Sequence, residues 1–212
     1  MSGHDHGDVA GDPLLIDVPE QLDGPRVILR PFQPGDGAAV WPAVEESRQE
    51  VARWQDWIDG HRSARHSELA VRRLRLKFVA RECLYFGIWH RLDQRFLGWV
   101  GVEDIDWRAP SFHVGCWLRT SAARQGLMTE ALALLCRLCF EGLAAKRVAL
   151  TAEAGNARSI ALARRLGFVP EGELRNAGLD SAGQPQTMLV FALTPEDYRA
   201  RIELFRQWLG SE

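Results

Sequence analysis

Long hydrophobic runs are missing from this sequence. None approaches the ~20 consecutive apolar residues that cross a bilayer, and the opening MSGHDHGDVAGDP lacks the basic and apolar regions of a signal peptide. A cytoplasmic protein without membrane contact is expected. An excess of one charge is missing too. Lys and Arg number 26 against 28 Asp and Glu, a formal net charge of −2, which makes no global case for nucleic acid. Cysteine is scarce, with four residues. Cys136 and Cys139 form a C-x-x-C, but inside an apolar-periodic stretch rather than at a helix start, where the dipole would lower a thiol pKa. Cys83 and Cys116 make no second pair, so neither a redox couple nor a zinc site is expected, and the thiols read as core packing. Tyrosine is scarcer still, with Tyr85 and Tyr198 alone, and there is no internal repeat.

What is present suits one globular domain. A chain of 212 residues that is 46% hydrophobic can bury a real core. Residues 25–212 read as that domain and residues 1–24 as a flexible arm. RVILRPF (26–32) reads as a strand closed by Pro31 and PGDG. A helical stretch follows, interrupted by Pro42, and Ser63 is placed to cap a second helix on which Leu69, Val71, Leu74 and Phe78 fall near one face. Three aromatic and β-branched runs, at 83–90, 95–107 and 111–119, are separated by short turns and predict antiparallel hairpins. From Met128 the apolar residues switch to helical spacing through Leu143. KRVALTAE then reads as a strand, NARSIALARRLG as a helix ending at Gly167, and FVPEGEL and QTMLVFAL as strands. A last helix opens on Thr194 and Pro195. The class is a mixed α/β sheet, antiparallel in its first half, with a helix crossing between later strands.

The change of rhythm at CWLRTSAARQGLMTEALALL (116–135) is the informative point. A nucleoside-triphosphate loop needs a second glycine and a lysine, and a dinucleotide fingerprint needs three spaced glycines; ARQGLMTE has one glycine and neither pattern. Two readings remain: a plain turn into a core helix, or backbone N–H groups at a helix N-terminus facing an anion, with Arg124 adding charge.

Beyond it comes a strand and then AGNARSIALARRLGFVPEGEL. Taken together and in this order, GCWLRTSAARQGLMTEALALL, the strand, NARSIALARRLGF and EGEL resemble the GNAT superfamily of acyl-CoA-dependent N-acetyltransferases, most closely the branch of the ribosomal-protein N-terminal acetyltransferases RimJ and RimL. RWQDWI, with Trp54 and Trp57, resembles an element common in that branch. The resemblance covers residues 26 to about 194. It implies a GNAT fold, with a mostly antiparallel sheet splayed at the cofactor site and flanked by helices, and acetyl-CoA as cofactor. The loop departs from the family pattern, since its leading basic residue has moved by one position and its final small residue is Met128.

The resemblance also implies roles. Cys116, Trp117 and Leu118 would present backbone groups to the pantetheine arm. Arg124, Gln125, Gly126, Leu127, Met128 and Thr129 would seat the pyrophosphate. Asn156 would bond the arm or cap its helix, and Arg158 would reach the phosphates or stand in solvent. The position where many relatives carry a tyrosine acid is Ala163, so Ser159 is the candidate to serve the sulfur. His113 stands where relatives carry glutamate, and an imidazole of ordinary pKa ~6.5 suits proton transfer. Glu103 is the rival base, with Asp104 and Asp106 beside it and Asp180 further along. Trp54, Trp57 and Trp107 would line an acceptor pocket or pack in the core. Between His61 and Glu82 seven Lys and Arg face two Glu, which invites an acidic partner, RNA included, or is a solvated face.

Three functions follow as expectations. The first is acetyl transfer to a primary amine, of a protein N-terminus or a small molecule, by direct attack in a ternary complex, with a homodimer open. The second is an acyl-CoA-binding sensor with little catalysis. The third is an RNA- or ribosome-associated binding protein.

Overall fold

A computed structural model describes residues 11–180 and 183–210. Eight strands form one sheet: β1 (Leu22–Asp23), β2 (Val27–Pro31), β3 (Leu84–His90), β4 (Phe96–Asp106), β5 (Ser111–Leu118), β6 (Arg147–Glu153), β7 (Val169–Leu179) and β8 (Pro185–Leu193). Their spatial order is β1-β2-β3-β4-β5-β6-β8-β7. Every neighbouring pair is antiparallel except β5 and β6, which are parallel because α3 (Leu127–Arg137) carries the chain back between them.

Helices cover both faces. α1 (Gly37–Val51) and α2 (Ala64–Val79) pack over a cluster that includes Phe32, Val44, Ile58, Phe96 and Trp117. α3 lies over the larger cluster on the other face, where Leu132, Leu134 and Leu135 meet Phe112, Val148 and Leu150. α4 (Ala157–Leu166), α5 (Pro195–Ala200) and α6 (Ile202–Leu209) complete that side. No helix among the described residues is long and apolar enough to cross a membrane.

Several elements differ from their sequence-based expectation. α1 runs unbroken through Pro42; proline removes one helical N–H, and burial of Val40, Ala43, Val44 and Val51 keeps the helix together. Leu69 stands 46% exposed while Val71 and Phe78 are buried, since two positions turn a helix by about 200°. The last helix breaks at Arg201, where φ is −120°. Of the arm expected over 1–24, residues 1–10 lie outside the described residues. The rest is laid along α2. Ile16 O accepts from Arg81 Nη2 at 2.9 Å, Glu20 pairs with Arg75 at 2.7 Å, and Leu22 and Asp23 pair with β2.

The site is set by a fork. β5 and β6 pair from Ser111 to Val114 and from Arg147 to Leu150, and then part. Beyond that point Gly115–Leu118 stay with β4, and Thr151–Glu153 stay with β8.

Candidate active site

The fork opens into a cleft of about 460 Å³. Its floor is the free edge of β5, its two ends are the N-termini of α3 and α4, and Glu50 and Trp54 close it from the end of α1. The Trp54 ring lies over Gly155 in the turn into α4.

The β5 edge presents backbone. Arg119 N–H donates to Leu97 O at 2.7 Å, and antiparallel pairs alternate between bonded and non-bonded. Counting back, Trp117 spends its N–H and C=O on β4, while those of Cys116 and Leu118 face the fork. The Trp117 side chain instead packs against Phe96 and Trp57.

The α3 end is a seat for an anion. Gly126 caps the helix with φ +77°, a left-handed conformation that glycine adopts without strain, and no side chain satisfies the first turn. The N–H groups of Leu127, Met128 and Thr129 therefore have no acceptor in the helix, and the helix dipole adds to them. Arg124 lines the cleft with φ +64°. Gln125 does not line it: Arg26 Nη1 holds its carbonyl at 2.8 Å, and its Nε2 donates to Ser121 O.

Two residues that sequence reasoning passed over fix this loop. Glu130, 1% exposed, accepts from the backbone N–H groups of Arg26 and Val27 at 2.7 and 3.0 Å and from Arg26 Nε at 2.8 Å. Arg165 reaches from α4 to donate to Thr129 Oγ1 at 3.2 Å and lines the cleft. The signal for Glu130 was a single carboxylate in an otherwise apolar run, and a buried charge must be paired.

At the α4 end, Asn156 Oδ1 caps the helix by accepting from Ser159 N–H at 3.1 Å, and its amide nitrogen makes no hydrogen bond among the described residues. Ser159 lines the cleft, and no hydrogen bond within the protein engages its hydroxyl among the described residues. Arg158 is tied across the cleft to Glu50 at 2.6 Å.

His113 and Glu103 sit away from the cleft lining, where β5 and β6 begin to part. His113 Nε2 lies 2.9 Å from Thr151 Oγ1, and its Nδ1 lies 3.8 Å from Glu103 Oε1. Tyr85 OH donates to Glu103 Oε2. His113 and then Tyr85 hold the Glu103 carboxyl below the usual carboxylate range, against the opposing effect of burial. Burial and the Glu103 carboxylate push Tyr85 far up, so it stays a phenol. Two other carboxylates serve turns: Asp106 accepts from the N–H groups of Arg108 and Ala109, and Asp180 from that of Gln184.

The three tryptophans are not together. Trp54 walls the cleft. Trp57 stacks edge-on with Trp99 and Trp117 at 5.9 and 5.4 Å. Trp107 is partly buried against the core, its Nε1 donating to Arg81 O at 3.0 Å and its ring against Phe112. On α2 the expected basic face is partly spent, since Arg72 pairs with Glu68 and Arg75 with Glu20. Burial pushes the Cys116 thiol up to about 12 and the Cys139 thiol further, in keeping with inert packing. Among the described residues no group of His, Cys, Asp and Glu could hold a metal ion.

A family model described as "Acetyltransferase (GNAT) domain" matches residues 26–169. The chain belongs to the GNAT acetyltransferase family. It is an acyltransferase, and the mixed sheet with its fork is the GNAT fold. Among curated proteins it is similar to the "Putative ribosomal N-acetyltransferase YdaF" of Bacillus subtilis, 23% identical over 188 residues that span 88% of this chain and 96% of that one. Among solved structures it resembles a putative ribosomal-protein-serine acetyltransferase from Vibrio cholerae, at 29% identity and TM-score 0.73, covering 82% of this chain and 97% of that one. It also resembles RimL, a ribosomal L7/L12 alpha-N-protein acetyltransferase in complex with coenzyme A, at 20% identity and TM-score 0.77, covering 84% and 99%. The GNAT match begins at Arg26, the residue that clamps the loop before α3, and so takes in the whole cleft from that clamp through α4.

Proposed function

We propose that this GNAT protein transfers acetyl from acetyl-CoA to a primary amine, of a protein N-terminus or a small molecule, by direct attack in a ternary complex. The observation that carries the reading is the continuity of the cleft: the β5 edge at Cys116 and Leu118 leads straight to the uncapped N-terminus of α3. An extended arm with amide groups fits the first, and a pyrophosphate fits the second. RimL, with coenzyme A bound, shares this fold, and the names of the relatives favour an N-terminal amine of a ribosomal protein as acceptor.

Acetyl-CoA supplies a thioester carbonyl and a thiolate leaving group. The chain supplies the rest. Leu127, Met128 and Thr129 N–H groups hold the diphosphate, with Arg124 and Arg165 beside them. Ser159 offers a hydroxyl to the sulfur. His113 and Glu103 are the candidate acceptors of the amine proton, because only a neutral amine attacks. Holding both reactants in one cleft supplies much of the acceleration. The same reading takes the enzyme as cytoplasmic and leaves a homodimer open.

The test is acetyl-CoA turnover, read as free thiol, across a panel of peptide N-termini and small amines. Thiol release above background with at least one amine supports the reading. Tight coenzyme A binding with no release from any amine would replace it with the sensor.

A further inference from the structure

The nitrogen His113 Nδ1 is shut off from solvent and has no hydrogen-bond partner. Its nearest charged neighbour is Glu103 Oε1 at 3.8 Å. That arrangement settles which nitrogen carries the proton. A lone pair on Nδ1 would face a carboxylate across a dry gap, which is repulsive, whereas an Nδ1–H faces it favourably. With the proton on Nδ1, neutral imidazole keeps its lone pair on Nε2. The partner of Nε2 is Thr151 Oγ1 at 2.9 Å, so the threonine hydroxyl must be the donor. Its own lone pairs are then left to accept a hydrogen from elsewhere.

Position gives this hydroxyl its meaning. β6 stays paired to β5 up to Leu150, and Thr151 is the first residue past the fork. His113 faces Glu103 directly across β4 and β5 in register, and Tyr85 OH donates to the far oxygen of Glu103 from β3. Four strands thus place hydroxyl, imidazole, carboxylate and phenol in one row that ends where β5 and β6 part.

We infer that Thr151 is the first link of a proton relay, Thr151–His113–Glu103, and that Tyr85 is a positioning residue that fixes the carboxylate. This rests on the acetyltransferase reading and assigns its proton path. As the amine nitrogen bonds to the thioester carbonyl carbon, its proton passes to Thr151 Oγ1 while the threonine proton passes to His113 Nε2. The C–S bond breaks while the Ser159 hydroxyl hydrogen-bonds the sulfur, and the thiolate takes its proton from water. The imidazolium then returns its Nε2 proton through Thr151 Oγ1 to solvent in the cleft, replacing the proton that water gave the thiolate, so protons and charge balance. The charged and titratable groups around His113 are Glu103 and Tyr85 on β4 and β3, Lys77 acting on Glu103 from α2, and Glu153 two residues beyond Thr151. Burial, with Asp180 adding to it, raises the Glu153 carboxyl.

Two measurements test this. Nitrogen NMR of the imidazole in the resting protein should show the Nδ1–H tautomer, and an Nε2–H tautomer would overturn the relay. Steady-state kinetics should then show Thr151→Val losing about 10²-fold in kcat. Its KM for acetyl-CoA should stay within about twofold, and the acid limb of its pH profile should be altered, as loss of a proton path rather than of binding requires. Thr151→Ser should recover most of the rate, which a packing role for the methyl group would not predict. A Thr151→Val enzyme with the wild-type kcat and pH profile would overturn the relay alone. A wild-type protein that binds coenzyme A but acetylates no amine would overturn the acetyltransferase reading and the relay with it.

Discussion

Arg26, the residue before β2, and Glu130 on α3, 104 positions apart, meet at 2.8 Å, and the same guanidinium holds the Gln125 carbonyl at 2.8 Å with its other arm. One buried carboxylate therefore joins the start of β2 to the loop that opens the cleft. It explains why Gln125 turns away from the cleft while Gly126 and the residues after it turn towards it.

Removing that carboxylate should cost both stability and cofactor binding. Glu130→Ala strands the N–H groups of Arg26 and Val27 in a buried site, and a loss of about 3 kcal/mol is expected. Chemical denaturation reads the first effect and calorimetric titration with coenzyme A the second. A variant as stable as wild type would show that the clamp is ornamental.

Gly126 should matter more than Arg124. A side chain at φ +77° costs about 1–2 kcal/mol and would press on the Arg26 guanidinium, 3.4 Å from the glycine's virtual Cβ. Gly126→Val should thus weaken coenzyme A binding more than Arg124→Ala, since the first disturbs every backbone donor in the seat and the second removes one assisting charge. Titration of both variants checks the ranking.

Ser159→Ala should lower kcat by about 10²-fold, the low end of what a positioned proton donor contributes, with little change in coenzyme A affinity. The hydroxyl is uncommitted in the fold, so thermal stability should hardly move. Loss of stability without loss of rate would mark it as structural.

Acid should loosen the approach to the cleft. Burial works to raise the Glu46 carboxyl, but the Arg119 guanidinium and the Ser121 N–H outweigh it and hold the pKa at about 2, against an ordinary 4.5. A depressed carboxylate adds stability above its unfolded pKa and loses it as pH falls through the folded one. Wild-type melting temperature should therefore drop more steeply than that of Glu46→Gln as pH goes from 4.5 towards 2. Parallel curves would show that this contact carries no weight.

Much of the fold was legible because it rests on local patterns. Alternation and turn residues mark β3 to β5, and the shift to helical spacing after Gly126 marks α3. The loop was legible for the same reason: a left-handed cap wants glycine at one position. What was hidden depends on partners far away in sequence. Nothing local says that Glu130 meets Arg26, that Arg165 reaches Thr129, or that Arg158 is spent on Glu50. The tryptophans mislead for a related reason: Trp54, Trp57 and Trp107 look alike in sequence, and only tertiary packing sends one to the cleft and another under Arg81. Thr151 drew no notice because its importance comes from standing one residue past the fork.

The most direct measurement is a crystal structure with coenzyme A. The account predicts the pyrophosphate on the N–H groups of Leu127 to Thr129, the arm along Cys116 and Leu118, and the thiol beside Ser159. Coenzyme A bound outside the β5–β6 fork, or with its pyrophosphate away from α3, would contradict it.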